Sequence, residues 1–220
     1  MQELVVVAWN LQGRRPARLE LRAALASVRA DLLLLQEADG DQVGEILPAA
    51  FRSRLWWPTA GTPPGIVVAS HLPLEESGIL DPVDPPWDRP RVCWARFQTA
   101  RGSLTAASVH LLAPLLPGAR RRRDGQRDEL AGWCEALSAG GERLVVGGDF
   151  NTRNPTLPRM ADACASDPLP TWRPLATRWM RPLLRLDAIF LSPAVRSLEA
   201  GIGDRWRASD HVPVVARIGV

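Results

Sequence analysis

The stretch Leu-Val-Val-Gly-Gly-Asp-Phe-Asn, residues 144–151, combines a short apolar run with an abrupt polar end. An apolar run of this length, bounded by turn residues, predicts a buried strand. We expect the strand to span residues 143–147 and to stop at Gly148-Asp149-Phe150-Asn151. Taken alone, this ending is also what a simple turn would show, because Asp and Asn side chains hydrogen-bond to the backbone of turns.

The same pattern recurs along the chain, with a polar residue wherever an apolar run stops. Strands are predicted at residues 4–9, 32–35, 103–110, 186–191 and 212–218. The residues at their ends are Asn10, Glu37, His110, Asp149, Asn151, Asp187, Asp210 and His211. A single carboxylate at a strand end usually caps a helix or lies in a solvated turn, and a lone histidine usually packs against its neighbours. Eight together indicate one site, because the rigid ends of several strands can converge on one mouth.

The remaining elements complete an α/β pattern. Helices are predicted at 14–29, 41–47, 121–137 and 155–165, further strands at 66–69 and 91–97, and loops at 81–90, 114–118 and 168–184. About ten strands mixed with helices favour two sheets packed together with helices outside. At 220 residues the chain is expected to form a single domain, 1–220.

Cysteine usage and the first residues bear on the cellular setting. Cys93, Cys134 and Cys164 are scattered without a Cys-x-x-Cys motif, so neither a disulfide framework nor a structural zinc site is expected. Residues 1–7 lack the features of a signal peptide, and no apolar run approaches the roughly 20 residues of a transmembrane segment. We therefore expect a cytoplasmic protein with no transmembrane segment, and a monomer by default.

All 27 basic residues are arginine, and the net charge is +3. This usage has two explanations: a GC-rich genome, or recognition of phosphate by guanidinium groups. The densest basic patch is Arg120, Arg121, Arg122 and Arg123. It is either a solvated helix face or a grip on a phosphate backbone.

Tryptophans form a second group of candidate substrate contacts. Trp56, Trp57, Trp87 and Trp172 fall in predicted loops, where they could stack on bases, pack at a rim or form an apolar lip for a lipid. Trp9, Trp94 and Trp133 are expected in the core.

The strand-end residues suit metal-assisted phosphoester hydrolysis. Mg²⁺ prefers oxygen ligands, usually one or two carboxylates together with substrate phosphate. Glu37 supplies such a carboxylate, with Asn10 and Asp210 as its companions. The other requirements are an aligned water molecule and stabilisation of charge on the phosphoryl oxygens.

The remaining candidates meet these other requirements. Asp149 could orient or deprotonate water, and Asn151, His110 and His211 could donate hydrogen bonds to a phosphoryl oxygen. Asp187 could hold one imidazole in its tautomer and orientation.

Six blocks in this order resemble the endonuclease/exonuclease/phosphatase superfamily, the deoxyribonuclease I-like phosphoesterases. They are Trp9-Asn10, Gln36-Glu37, Ser108-Val109-His110, Gly148-Asp149-Phe150-Asn151, Leu186-Asp187-Ala188-Ile189 and Ser209-Asp210-His211. The resemblance runs from residue 4 to 218 and implies an α/β/β/α sandwich of four layers with the site at one end. It also implies Mg²⁺ or Mn²⁺ at Glu37, His211 oriented by Asp187, and His110 on the opposite side. His71 matches no block and is expected in a turn.

The substrate is less constrained. The chain has no tyrosine, whereas abasic-site endonucleases of this family place a catalytic tyrosine where His110 stands here. The resemblance is therefore to the branch of deoxyribonuclease I, sphingomyelinases and bacterial phosphohydrolases. A nuclease-type phosphodiesterase acting on DNA or RNA is the favoured hypothesis. Hydrolysis of phospholipid or sugar-phosphate esters is the alternative, and an inactive binding module ranks last.

Overall fold

The computed structural model describes residues 1–12, 18–27, 29–47, 49–58, 64–80, 92–115, 117–174, 180–204 and 209–220. Within these ranges lie the strands β1 (Glu3–Asn10), β2 (Leu32–Ala38), β3 (Ser53–Trp57), β4 (Gly65–Ser70), β5 (Leu74–Leu80), β6 (Val92–Thr99), β7 (Gly102–His110), β8 (Leu144–Asp149), β9 (Ala161–Asp162), β10 (Asp187–Leu191), β11 (Arg196–Ile202) and β12 (Val214–Gly219). The helices are α1 (Arg18–Ser27), α2 (Gly40–Ile46) and α3 (Ala119–Ala139).

The strands form two mixed sheets of six. The first has the order β11-β12-β1-β2-β4-β3, and the second has the order β5-β6-β7-β8-β10-β9. In each sheet the central pair is parallel, β1 with β2 and β7 with β8, while the other neighbours are antiparallel. A parallel pair requires a crossover, which α1 provides in the first sheet and α3 in the second.

The two sheets pack face to face with helices on their outer faces. The core between them contains Leu34 and Val68 from the first sheet and Phe97 and Val145 from the second. Side chains of α1 and α2 cover the other face of the first sheet, and side chains of α3 cover that of the second. This is the predicted four-layer α/β/β/α sandwich. Central strands read as continuous apolar runs because both of their faces are buried.

The topology gathers the polar strand ends at one edge of the sandwich. In the register of the sheets Asn10 pairs with Gln36, and Asp149 pairs with both His110 and Asp187. Strand β12 runs antiparallel to β1, so the residues that precede β12 lie beside the end of β1. The carboxyl ends of the two parallel pairs, β1 with β2 and β7 with β8, therefore meet the amino-terminal ends of β10 and β12.

Several sequence predictions need correction. The helix predicted at 155–165 is wrong: the segment consists of turns and the short strand β9, since Arg159 has φ 59°, which a right-handed helix cannot accommodate, and Pro158 lacks an amide donor. Trp56 and Trp57 lie in strand β3 rather than in a loop. Strands β5 and β11 carry mostly polar or exposed residues and were not predicted.

Other predictions are confirmed or concern residues outside the described ranges. His71 lies in a turn, as expected, and Trp9 is fully buried. Trp94 and Trp133 are partly buried against the core under α3. The loop at 81–90, including Trp87, and residues 14–17 of the first predicted helix lie outside the described residues. No helix in the described ranges is long and apolar enough to cross a membrane.

Candidate active site

A cluster of amide and carboxylate groups joins the two sheets at this edge. Asn10 Nδ2 lies 3.2 Å from Glu37 Oε1 and 3.1 Å from Asp149 Oδ2. Glu37 has φ 51°, and the pairing of β2 with β4 shifts register between Leu35 and Ala38. A non-glycine residue in this region carries strain of about 1–3 kcal/mol. The irregular strand end re-aims the Glu37 side chain toward the second sheet.

The end of strand β8 and the bend that follows it direct Asp149 inward. Gly148 has φ 146°, and a Cβ there would collide with the Val109 carbonyl oxygen. The Asn151 amide N–H donates to Asp149 Oδ1 at 2.8 Å, and Asn151 Nδ2 donates to the Leu111 carbonyl at 2.8 Å and to Asp149 Oδ2 at 3.3 Å. Both oxygens of the buried Asp149 carboxylate are thereby fixed in direction.

His211 is held by a buried carboxylate. Its Nδ1 lies 2.8 Å from Asp187 Oδ2. Asp187 is itself set by Thr171, whose Oγ1 accepts the Asp187 backbone N–H at 3.1 Å. When Asp187 accepts the Nδ1 proton, Nε2 is the nitrogen that faces the site. His211 Nε2 lies 3.8 Å from Asp149 Oδ2.

His110 approaches the same carboxylate. Its Nε2 lies 3.8 Å from Asp149 Oδ2 and 3.7 Å from Glu37 Oε1. Asp149 Oδ2 is therefore 3.8 Å from each of two imidazole nitrogens, that of His110 at the end of β7 and that of His211 in the segment that precedes β12.

Burial and mutual charge shift the pKa values of these groups. Burial raises the pKa of Glu37, and the charges of Asp210 and Asp187 raise it further against the opposing effects of Asn10 and His211. Burial likewise raises the pKa of Asp149. For His211 burial lowers the pKa, but the negative charges of Asp187 and Asp149 outweigh it and raise the pKa to about 10. The site thus favours a cationic His211.

The comparisons with known proteins agree with this fold. A sequence model of the Endonuclease/Exonuclease/phosphatase family matches residues 7–211. The chain belongs to this family. A search of curated protein sequences finds no significant match.

Three solved structures share the fold. An endonuclease/exonuclease/phosphatase from Beutenbergia cavernae DSM 12333 is 19% identical, with a TM-score of 0.79 over 99% of this chain and 72% of that one. D. rerio TDP2, complexed with a single-strand DNA product, is 16% identical, with a TM-score of 0.77 over 100% of each chain. The human Nocturnin catalytic domain, with bound sulfate, is 19% identical, with a TM-score of 0.76 over 99% of this chain and 93% of that one.

The donor set fits the divalent metal that the endonuclease/exonuclease/phosphatase fold usually employs. Ligand atoms of Asp149, Asp187 and His211 lie within 4.8 Å of one another. However, Asp187 and His211 already hydrogen-bond to each other, whereas Glu37 lies beside Asn10 at the more open side. Asp210 Oδ1 is buried and has no hydrogen-bond partner among the described residues. Four carboxylates gathered around two imidazoles leave negative charge that a divalent cation would offset.

The candidate substrate contacts differ in how they relate to this cluster. Arg120, Arg121 and Arg122 are exposed at the start of α3. Arg123 is mostly covered, and its Nη1 donates to the Asn151 carbonyl oxygen at 2.7 Å. Trp172 is half-buried, and its Nε1 donates to Asp210 Oδ2 at 3.2 Å. Two of the candidates thus bind site residues directly.

Three polar residues of the six sequence blocks have no predicted role but support the site. Ser209 Oγ donates to the Asn10 carbonyl at 2.7 Å and accepts the His211 amide N–H at 3.0 Å. Below the site, Gln36 Nε2 donates to Ser108 Oγ at 2.9 Å across the two sheets. A polar side chain inside an otherwise apolar strand, as at Gln36 and Ser108, is a signal that could have identified this pair.

Proposed function

We propose that this chain is a divalent-metal-dependent phosphodiesterase of the nuclease type, which cleaves DNA or RNA with an activated water molecule. One observation carries the proposal. The buried Asp149 carboxylate lies 3.8 Å from Nε2 of both His110 and His211 and 3.1 Å from Asn10 Nδ2, beside Glu37. A base, two hydrogen-bond donors and a metal ligand are therefore assembled around one small space.

The metal side of the site consists of Glu37, Asn10 and Asp210. These residues would hold Mg²⁺ or Mn²⁺. When bound, such an ion would supply Lewis-acid chemistry that offsets the charge developing on a phosphoryl oxygen. Trp172 orients Asp210 through the hydrogen bond to Oδ2, which leaves Oδ1 unpaired among the described residues.

The proton-transfer side centres on Asp149. Its raised pKa brings the carboxylate closer to the neutral range in which a general base works best. Asp149 orients the attacking water and accepts its proton. The 3.3 Å bond from Asn151 Nδ2 to Asp149 is long, so this N–H can exchange Asp149 for a phosphoryl oxygen.

Two imidazoles serve the phosphoryl group. His211, kept cationic by Asp187 and Asp149, donates from Nε2 to a phosphoryl oxygen and so stabilises the charge that builds up there. His110 reaches the same space from β7 and serves as a second phosphate contact or as the acid that protonates the leaving oxygen.

Positive charge at the start of α3 supports a nucleic-acid substrate. Arg120, Arg121 and Arg122 are exposed where α3 begins, next to the loop that follows His110. Each phosphate that such a residue neutralises steepens the salt dependence of binding by about 0.9 in log–log slope. The structurally similar D. rerio TDP2 is complexed with a single-strand DNA product.

A second candidate function rests on apolar residues of the same edge. Leu115, Met180 and Leu183 are 85%, 47% and 55% exposed on loops at the site end of the sandwich. Exposed apolar side chains of this kind suit a phospholipid substrate. This observation favours the phospholipid part of the alternative, which is hydrolysis of phospholipid or sugar-phosphate esters.

A substrate panel tests the proposal. Wild type and Asp149→Asn are assayed with Mn²⁺ against single- and double-stranded DNA, RNA, an abasic duplex, sphingomyelin, inositol phosphates and bis-p-nitrophenyl phosphate. We expect cleavage of nucleic acid and of the small diester by wild type alone, with loss of activity in EDTA. Cleavage of sphingomyelin or inositol phosphates alone would favour the alternative. Mn²⁺ binding without any hydrolysis would favour the inactive binding module.

A further inference from the structure

One face of α3 reaches the loops that follow β7 and β8. Arg123 and Gln126 are three residues apart, so they lie on the same side of the helix. Arg123 Nη1 donates to the Asn151 carbonyl oxygen at 2.7 Å. Gln126 Oε1 accepts the Leu112 amide N–H at 3.0 Å. The helix therefore ties the loop after β7 and the loop after β8 to one rigid body.

Asn151 is a residue that needs such support. Its φ is 49°, in the left-handed region that costs a non-glycine residue free energy and persists only where surrounding contacts hold it. Its amide and side chain bind Asp149 and the Leu111 carbonyl. The Arg123 bond fixes the one backbone group of Asn151 that those contacts leave, and a charged donor makes this bond strong.

Arg123 differs from its neighbours in burial. The Arg123 side chain is 12% exposed, whereas Arg120, Arg121 and Arg122 are exposed. Its Nε is also buried without a hydrogen-bond partner among the described residues. A buried, partly unsatisfied guanidinium is a poor contribution to stability. The hydrogen bond from Arg123 to the Asn151 carbonyl oxygen therefore needs an explanation other than stability.

We propose that Arg123 is a positioning residue of the active site. It holds the Asn151 backbone in its left-handed conformation, so that the Asn151 side chain faces the phosphoryl oxygen and its amide N–H keeps Asp149 aligned. Arg123 acts through Asn151 and does not touch the substrate. This inference rests on the proposed phosphodiesterase function for its kinetic test, and a structural test separates the two.

The kinetic test compares Arg123→Met and Arg123→Lys with Arg143→Met. Arg143 is a matched control, because its Nη1 also donates to a backbone carbonyl at 2.7 Å, that of Arg101, at the opposite end of β8. For Arg123→Met we expect kcat to fall roughly tenfold or more, the value of one charged hydrogen bond, with KM little changed. Arg123→Lys should recover part of kcat, and Arg143→Met should match wild type.

Two kinetic outcomes would overturn the proposal. A rise in KM at unchanged kcat in Arg123→Met would assign the guanidinium to substrate binding instead. Equal kinetics in Arg123→Met and wild type would remove any role. Thermal denaturation of all three variants shows whether each is folded. For a variant that loses both stability and activity, the conformation of Asn151 in its crystal structure decides between the two explanations.

The structural test does not depend on activity. Crystal structures of metal-free wild type and Arg123→Met are compared at Asn151. We expect Asn151 to leave positive φ in the variant and its side-chain bond to the Leu111 carbonyl to break. An unchanged Asn151 would overturn the proposal. If wild type hydrolyses no phosphoester, the proposed function fails, while this comparison still decides the positioning role.

Discussion

At the residue scale, Asp149 and His211 are expected to be indispensable. Asp149→Asn and His211→Ala should each lower kcat at least about a hundredfold, because each removes a proton-transfer or charge-stabilising group. Asp149→Asn keeps the side-chain shape, so its thermal unfolding temperature should stay close to that of wild type. Glu199→Gln, an exposed carboxylate on β11, is the control. Near-normal turnover in either site variant would refute its assigned role.

The Asp187–His211 pair predicts a pH effect in the metal-free protein. The folded pKa of His211, about 10, lies above the unfolded value of about 6.5. The pair's contribution to the free energy of unfolding is therefore complete below pH 6.5 and declines as pH rises toward 10. Asp187→Asn should lower the His211 pKa and reduce this contribution. Nitrogen-15 NMR of the imidazole in EDTA measures the shift, and identical titration in both proteins would contradict it.

At the element scale, strand β8 allows only glycine at position 148. Gly148→Ala should lower the free energy of unfolding by about 2–4 kcal/mol, because alanine is strained at φ 146° and its Cβ meets the Val109 carbonyl. Gly132→Ala within α3 is the control: nothing lies within 4 Å of its Cβ. That change should stabilise by about 0.5–1 kcal/mol. Urea denaturation measures both, and equal stabilities would contradict the assignment.

The elements differ in how well the sequence predicts them, and burial explains the difference. Central strands such as β1 and β8 are buried on both faces and therefore carry apolar runs that are easy to recognise. Edge strands β5 and β11 face solvent and have no such run. Their pairing depends on neighbours distant in sequence, which local patterns do not show. Trp56 lies on the edge strand β3, and its indole N–H donates to the Ala38 carbonyl oxygen, so its position depends on a segment that is distant in sequence.

For the site, the sequence predicts which residues meet but not how they bond. All eight strand-end residues lie at one edge of the sandwich, because chain direction and strand order bring them there. That Arg123 binds Asn151 and that Trp172 binds Asp210 depends on loop geometry, which composition does not reveal.

At the scale of the whole molecule, metal binding should stabilise the fold. Buried carboxylates drawn from both sheets repel one another, so a divalent cation that bridges them favours the folded state. Mn²⁺ at about 100 times its Kd should add about 2.7 kcal/mol to the free energy of unfolding. Differential scanning fluorimetry should show the unfolding temperature rising with Mn²⁺ in wild type and much less in Glu37→Gln. An equal rise in both would place the ion elsewhere.

The hydrogen bond between Gln36 and Ser108 limits how the two sheets can move relative to one another. Apolar packing between two sheets resists separation but hardly resists sliding, because it has no preferred direction. A buried bond from Gln36 Nε2 to Ser108 Oγ at 2.9 Å does have one, and it lies directly beneath Glu37 and His110. It fixes the position of one sheet relative to the other at this point, so that Glu37 on one sheet stays in line with His110 on the other while the rest of the interface adjusts.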